Sequence, residues 1–585
     1  MQQPVTGSKV SVLVLGEDTR SFLSVIRSLG EAGYEVHVVC YDRTSPALAS
    51  KYITTVKFYN YQALTAQDWL NSVIALVQRY QFDVIIPCDE RALYPLWSAK
   101  ERLPSHTQLA IANPQALEHL FDKWKTKRVA QTCGVPVAEG HITTIVETSY
   151  DQLQQRYGDL FVVKPLQSFE EDKLSQRQKV VIIHSAEDFA AFQHANDSHH
   201  TYLIEAFFAG KGEGVSVLSI QGEVYAAFAH VRVAEPNSGG GSSYRKSIPL
   251  DPALLEAAEQ MCRQTQLTGV AMFEFRRNEA DQWILVEVNA RFWGSLPLAV
   301  YAGVDFPKMY VDYMVTNQPP QRKVLQYRSV TARALTADIY EMKREFELFS
   351  DTRGTSIARK YLLGRLLQIG QVIIPKETID SLQWHDMKPF LAECSALFRT
   401  LVLAKLRKTR VLIRYRRYKT QRQLALLFKR NPRRRILFVC YGNIMRSPFA
   451  AAYFQDSAAQ QHISLRWDSF GFHLIEQRSC PQSAFQAAQR LGEDLTCHQS
   501  KWLSQLDIRE TDIVIYFDRQ NYSKLHAYYQ VNHAFCAADL LDNQFPKLAD
   551  IDDPYGRSIE GVEECYRKIS NSVTRLLTIY KEAVQ

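Results

Sequence analysis

The apolar positions of this chain fall into two kinds of pattern. Residues 9–15, KVSVLVL, form a nearly continuous apolar run that ends at Gly16, and Phe22, Ile26 and Leu29 then recur at helical spacing. The runs YEVHVVC (34–40) and FDVIIP (82–87) repeat the strand-like pattern. Strands alternating with amphipathic helices predict an α/β domain with a parallel sheet over residues 1–115.

The texture changes over residues 116–315. DKWKTKRVAQTCGVPVAEG (122–140) reads as a helix stopped by Gly134 and Pro136. LFVVKP, VVIIH, TYLIEAFF, GVSVLSI and VYAAFAHVRV are β-rich runs separated by turns, and QWILVEVNARFWG (282–294) is a strand running into a polar loop. A mixed α+β domain is expected here. Residues 316–433 read as helical, with Leu391, Cys394, Phe398 and Leu401 at helical spacing. At ILFVC (436–440) a strand, a glycine turn and a helix open a last α/β domain over 434–585. A chain of 585 residues is too long for one core, so this multidomain division is also what its length demands.

Composition adds little to this picture; the location of charge adds more. The chain is 46% hydrophobic and 22% charged, ordinary for a globular protein. Ten cysteines show no C-x2-C pair, which suits reduced thiols in a cytoplasmic protein and argues against a zinc-ribbon class. The first residues lead into a strand rather than a signal peptide, and no run approaches the ~18 apolar residues of a membrane span. Residues 405–435 carry fourteen cations and no acid; removing them from the net +7 leaves the rest of the chain at −7. The basic balance is therefore local. Leu406, Val411, Leu412, Ile413, Tyr415 and Leu424, interleaved with these cations, favour packing over a solvated arm. Packing on the N-terminal half is the expectation, peripheral contact with an anionic membrane the alternative, and nucleic acid the weakest option.

CYGNIMRSP (440–448) carries the clearest chemistry. A buried structural cysteine needs no arginine six residues on; a cysteine that attacks phosphate does. Cys440-x5-Arg446 leaves Tyr441, Gly442, Asn443, Ile444 and Met445 to turn their backbone N–H groups toward an anion at a helix N-terminus. Gly442 would permit the tight turn, Asn443 would hold the loop, Ser447 would hydrogen-bond the sulfur, and Arg446 would grip two phosphate oxygens. A leaving oxygen needs a proton, and Asp553, ahead of Pro554, is a candidate acid.

VCYGNIMRSP with the later DPYG resembles the low-molecular-weight protein tyrosine phosphatases, over about residues 434–585. HQSK (498–501) and DIVIYFDRQN (512–521) also look like that family's middle segments. The resemblance implies a doubly wound parallel-sheet domain with Cys440 as nucleophile, Arg446 as phosphate clamp and Asp553 as general acid. Two positions depart from it: Met445 stands where the family often has a second cysteine, and Ala451 where it commonly has an acid. Arsenate reductases share the loop, but Cys480 and Cys497 do not match their closely spaced cysteine pair.

A second set of residues suits nucleotide-driven ligation. Lys164 ends a strand, Lys123 lies one helix earlier, Glu274 and Glu287 sit on two neighbouring strands, and Asn289 shares a face with Glu287. Hard oxygen donors on one face suit Mg2+, with Mn2+ as a substitute. Arg291 follows two residues later. In order, DK…VKP…LIEAFFAGKGEG…E…E-x-N-x-R resembles the ATP-grasp superfamily, most like its stand-alone, carbamoyl-phosphate-synthetase-type carboxylate ligases, over about 8–315. The resemblance implies a Rossmann-like domain ahead of the grasp, ATP and Mg2+ as cofactors, and phosphate contacts from Lys123 and Lys164. It further implies nucleoside contacts from Glu205, with Glu213 the weaker candidate, Mg2+ on Glu274, Glu287 and Asn289, and Arg291 at the transferring phosphoryl group. HVRVAEPNSGGGSS (230–243) resembles the loop near the substrate, so His230 and Arg232 are candidates to close over a carboxylate.

The whole reads as a bifunctional enzyme: a ligase that activates a carboxylate as an acyl phosphate for attack by an amine or similar nucleophile, fused to a cysteine-dependent phosphatase. Its phosphatase substrate would be a phosphorylated small molecule or a phosphotyrosine protein. The competing reading is a regulatory tyrosine phosphatase whose ATP-grasp part senses a nucleotide or metabolite; a binding module with an inactive ligase site is the third.

Overall fold

A computed structural model describes residues 9–169, 178–196, 200–234, 242–369, 377–403, 406, 409–542 and 544–585. The chain forms two compact units: Met1–Cys40, Ser45–Phe58 and Leu70–Glu393 make the first, and Tyr41–Thr44, Tyr59–Trp69 and Cys394–Gln585 the second.

Among the described residues the first unit holds three sheets. β1 (Ser11–Gly16), β2 (Glu35–Cys40), β3 (Ile53–Phe58), β4 (Val84–Pro87) and β5 (Gln108–Leu109) form a parallel sheet in the order β3-β2-β1-β4-β5. The helix Ser21–Glu31 buries Phe22, Ile26 and Leu29 against it, as their spacing predicts. β6 (Gly140–Thr144), β7 (Phe161–Pro165), β8 (Val181–Ile183) and β9 (Thr201–Ala206) make a four-stranded antiparallel sheet.

The third sheet has seven strands. β10 (Lys211–Ile220), β11 (Glu223–Ala234), β12 (Tyr244–Ile248), β13 (Gly269–Arg277), β14 (Trp283–Asn289), β15 (Thr331–Arg333) and β16 (Glu377–Ile379) run in the order β14-β13-β10-β11-β12-β15-β16. β15 and β16 come from the stretch read as a helical linker. Each is three residues long, too short to show a periodic signal, and buried ion pairs tie them in: Arg245 meets both oxygens of Asp380 at 2.6 Å, and Arg333 bridges Asp338 and Glu377. The linker therefore starts later than its helical texture suggests.

The second unit is built on β17 (Ile436–Cys440), β18 (Trp467–Gly471), β19 (Ile513–Tyr516) and β20 (Ala534–Cys536), all parallel, in the order β18-β17-β19-β20. Every residue of the central β17 is buried. The basic segment forms the helix Arg410–Arg430, and it packs on this unit rather than on the N-terminal half. Leu424 and Phe428, one helical turn apart, are fully buried in its core. Arg417 donates to the carbonyls of Asp542 at 2.8 Å and Phe545 at 2.6 Å, and Arg416 pairs with Asp539 at 2.9 Å. Several of its cations thus serve as caps and ion pairs, while Val411, Tyr415 and Tyr418 stay exposed. Lys405, Arg407 and Lys408 lie outside the described residues. Among the described residues no helix is long and apolar enough to cross a membrane.

Candidate functional site

Cys440 is the last residue of β17, the central strand, and the helix Arg446–Gln460 begins six residues later. A parallel sheet opens its binding crevice at the carboxyl ends of such strands. Between them the loop folds back on the sulfur: Asn443 N–H donates to Cys440 Sγ at 3.2 Å, and Ser447 Oγ lies 3.1 Å from it. The loop residue with left-handed backbone is Asn443, at φ 52°, and not Gly442 as the glycine suggests. Asparagine tolerates this conformation when its short side chain finds partners. Asn443 Nδ2 donates to Ser447 Oγ at 2.9 Å and Ser469 Oγ at 3.1 Å, and its Oδ1 accepts from Lys501 N–H at 2.8 Å.

Residues without a role at the sequence level hold this loop from outside. His498 Nε2 donates to Asn443 O at 2.8 Å, so HQSK clamps the loop through His498 and Lys501. Arg478 donates to Gly442 O at 2.6 Å. A Cβ on Gly471 would lie 2.8 Å from Asn443 N and 2.9 Å from both Gly442 C and Tyr441 O, so residue 471 has no room for a side chain. Of the remaining loop residues, Tyr441 is exposed, Gly442 and Ile444 half-buried and Met445 buried.

Arg446 is 1% exposed and donates through two of its three nitrogens: Nη1 meets Asp518 at 2.5 Å and the Ile551 carbonyl at 3.0 Å, and Nη2 meets Asp553 at 2.7 Å. Burial works against its charge, but Cys440, Asp518 and Asp553 outweigh burial and hold its pKa above the ordinary arginine value. Asp553 is the half-open member of the group, its side chain 41% exposed. Asp518, within the run DIVIYFDRQN, aims the guanidinium. Burial, and then the charge of Cys440, push the Cys480 thiol up to about 12, so Cys480 stays protonated beside the loop.

In the first unit a cleft is lined by Glu90, Lys123, Lys127, Ser168, Glu205 and Glu287, among others, drawing on the four- and seven-stranded sheets and the helix Lys123–Thr132. Asp122 caps that helix by accepting from Lys125 N–H at 2.8 Å. Glu205 is clasped between Lys164 and Lys127, the latter at 2.5 Å. Burial alone would raise its pKa; the two lysines outweigh burial and lower it, so it is a carboxylate. Lys127, one helical turn past Lys123, is a cleft residue that the reading of the sequence missed. Glu213 is placed elsewhere: Arg277 takes its carboxylate at 3.2 Å, together with Asp251 and Asp281. It belongs to an ion-pair cluster and is not among the residues that line the cleft.

Glu274 and Glu287 are direct cross-strand partners on β13 and β14. Such partners project from the same face of a sheet. Each has a cation: Arg232 lies 2.7 Å from Glu274 and Lys123 3.6 Å from Glu287. Arg291 stands beyond the end of β14 rather than on it, donating to Asn289 Oδ1 at 3.1 Å and Glu90 at 3.0 Å. Among the described residues no three His, Cys, Asp or Glu gather as a metal site. The proposed Mg2+ set has two carboxylates, its third donor being an amide oxygen, and all three donors are hard oxygens as Mg2+ requires. His230 is buried with Nδ1 unpartnered; burial, then Arg232 and Arg245, press its pKa down to about 3, so it is neutral. The rest of the expected substrate loop, residues 235–241, lies outside the described residues.

These geometries agree with two family matches. Residues 435–585 match the family described as low molecular weight phosphotyrosine protein phosphatase, and residues 198–336 match the family described as ATP-grasp in the biosynthetic pathway with Ter operon. The low molecular weight protein-tyrosine-phosphatase YfkJ of Bacillus subtilis is 31% identical over 25% of this chain and 96% of its own length. A low molecular weight protein-tyrosine-phosphatase of Streptomyces coelicolor is 30% identical over 26% and 96%. Among solved structures, the biotin carboxylase β-γ-ATP complex from Campylobacter jejuni superposes with a TM-score of 0.46 and 16% identity, over 55% of this chain and 75% of that one. Through its C-terminal domain the chain belongs to the low-molecular-weight phosphotyrosine protein phosphatases, and it is an enzyme that fuses this domain to an ATP-grasp domain.

Proposed function

We propose that this enzyme hydrolyses an aryl phosphate ester at Cys440 and, at a separate site, ligates a carboxylate at the expense of ATP. The observation that carries the first reading is the ring around one sulfur: an N–H and a hydroxyl on Cys440 Sγ, and Arg446 held at its edge by Asp518 and Asp553.

The steps follow from that ring. Arg446 grips two oxygens of the phosphoryl group, and loop N–H groups take the others. Cys440 sulfur attacks phosphorus, the ester P–O bond breaks, and Asp553 gives its proton to the departing oxygen. Asp553, now a carboxylate, takes a proton from water as that water attacks phosphorus; the S–P bond breaks and inorganic phosphate leaves. Tyr441, in the loop, and Tyr555, two residues past the acid, are exposed, and such aromatic side chains suit an aryl ester. The relatives named above are protein-tyrosine-phosphatases, which supports phosphotyrosine as the natural form of that ester.

For the second site, Mg·ATP when bound would supply the phosphoryl group that makes a carboxylate an acyl phosphate. Lys123, Lys127 and Lys164 would neutralise nucleotide phosphates, Glu274, Glu287 and Asn289 would hold Mg2+, and Arg291 would meet charge on the phosphoryl oxygens. Cross-strand placement of Glu274 and Glu287 supports this.

Full-length protein tests both readings. It should hydrolyse p-nitrophenyl phosphate and lose that activity in Cys440→Ser. The same variant should still release ADP from Mg·ATP when offered amino acids and other carboxylates. ADP release from no acceptor, with phosphotyrosine peptides hydrolysed, would select the regulatory phosphatase instead.

A further inference from the structure

Arg20 stands in the loop after β1, between Asp18 and the helix Ser21–Glu31. β1 lies beside β4 in the order β3-β2-β1-β4-β5, so the crossover connections part to opposite sides at this pair. The crevice at the carboxyl ends of two such strands is where open parallel sheets take ligands. Residues from both loops are there: Arg91, after β4, donates to Glu17, after β1, at 2.8 Å, and neighbouring Glu90 holds Arg291.

Several arginines of this region already have carboxylates. Arg245 has both oxygens of Asp380, Arg232 has Glu274, and Arg291 has Glu90. Arg20 has a carbonyl: its Nε donates to Gly294 O at 2.8 Å. Among the described residues no carboxylate lies within ion-pair distance of its guanidinium. The nearby Asp18 is spent on backbone and hydroxyl, accepting from Arg20 N–H at 2.8 Å, Phe22 N–H at 3.0 Å and Ser21 Oγ at 2.9 Å. Burial, then Arg245, press the Arg20 pKa below the arginine norm, against the pull of Asp380 and Asp18; Arg232 adds to the pressure. A cation left so placed is costly unless an anion joins it.

The fold also keeps its place clear. A Cβ on Gly294 would lie 2.1 Å from Arg20 Nη2 and 2.7 Å from Cζ. Arg20 itself remains half-buried, so part of its surface is open. Gly294, which the guanidinium meets, lies five residues past Asn289, the last residue of the strand proposed to hold Mg2+.

We propose that Arg20 anchors the acid substrate of the ligase: its two nitrogens not used on Gly294 take a carboxylate of a small organic acid or amino acid in a bidentate pair. This rests on the ligase reading and gives it a residue from the first sheet. A planar fork facing a planar carboxylate is the strongest neutralising contact available to arginine.

The test uses full-length Cys440→Ser, with and without Arg20→Ala, Arg20→Lys or Arg20→Gln. The glutamine can still donate to Gly294 O, so it guards against a variant that merely misfolds. Probes are the proteinogenic amino acids and straight-chain mono- and dicarboxylates, each scored by ADP release and by calorimetric titration. The expected result is a carboxylate whose KM rises about ten- to hundredfold in Arg20→Ala and Arg20→Gln, with kcat and the KM for ATP nearly unchanged, and a smaller rise in Arg20→Lys. An unchanged carboxylate KM in variants that still release ADP would overturn the anchor and leave the ligase standing. Carboxylate heat that is lost with Arg20, but no ADP release from any probe, would leave the anchor standing and remove the ligase. If no probe gives heat with the parent protein, the anchor is wrong.

Discussion

Arg446 Nη2 lies 2.7 Å from Asp553 Oδ2, so the candidate phosphate clamp and the candidate proton donor are one ion pair. Asp553 is also the half-open partner, while Arg446 is sealed. This arrangement separates a chemical from a structural role for Asp553. If it donates the proton, Asp553→Ala should lower kcat by about 10²–10⁴, more for phenyl phosphate than for p-nitrophenyl phosphate, because the more basic leaving oxygen needs the proton more. Equal losses for both esters would reduce Asp553 to a brace for Arg446.

Gly471→Ala should damage the phosphatase through the loop backbone. Its Cβ would sit 2.8–2.9 Å from three backbone atoms of residues 441–443, which cannot move without moving the anion ring. We expect a loss of at least about tenfold in kcat/KM for p-nitrophenyl phosphate, since a small misplacement of catalytic groups costs this much or more. ADP release at the other site should be unaffected. Full phosphatase activity in a soluble, folded variant would show that the loop gives way.

Lys127→Met should raise the KM for ATP by about tenfold, the worth of one charge-assisted contact. Lys164 would still neutralise Glu205, so the carboxylate does not become an unpaired buried charge. ADP-release kinetics at varied ATP measure this; an unchanged KM would make Lys127 a purely structural partner of Glu205.

Glu493 gives a pH dependence. Burial, then Asp456, raise its pKa from 4.5 to about 7. Because the folded value lies above the unfolded one, its protonated form favours the fold. That stabilisation is full below about pH 4.5 and is lost as pH rises toward about 7. Glu493→Gln should therefore stabilise the second unit at pH 8 relative to the parent, by about 1–2 kcal/mol after allowing for solvent near the group, and bring no gain near pH 4. Thermal melts at the two pH values read the difference; a gain independent of pH would place its origin elsewhere.

The elements that carry the phosphatase loop were legible because their chemistry is local in the chain. Cys440, Arg446 and Ser447 share one strand–loop–helix, and strand, glycine and polar run announce it within a dozen residues. The partners that shape the loop were not. Asp518, His498, Lys501 and Gly471 reach it from 25 residues or more away in sequence, and no short-range pattern marks a residue for a contact at that range. Gly442 drew the turn to itself as a glycine, yet Asn443 adopts the left-handed conformation, since three hydrogen bonds to its amide side chain hold it there.

In the N-terminal part, alternating strands and helices predicted the parallel sheet, and the order of Lys123, Lys164, Glu274, Glu287, Asn289 and Arg291 predicted the family resemblance. The sequence by itself determined which residues carry charge and thiol, and which runs become strands, because side-chain chemistry and the period of burial are properties of neighbouring positions. Only the tertiary structure decided that Glu213 serves Arg277, that the basic helix caps the phosphatase unit, that β15 and β16 complete a sheet, and that among the described residues no carboxylate pairs with Arg20. Each of those depends on which distant charge or apolar face arrives opposite, and that is settled when the chain packs.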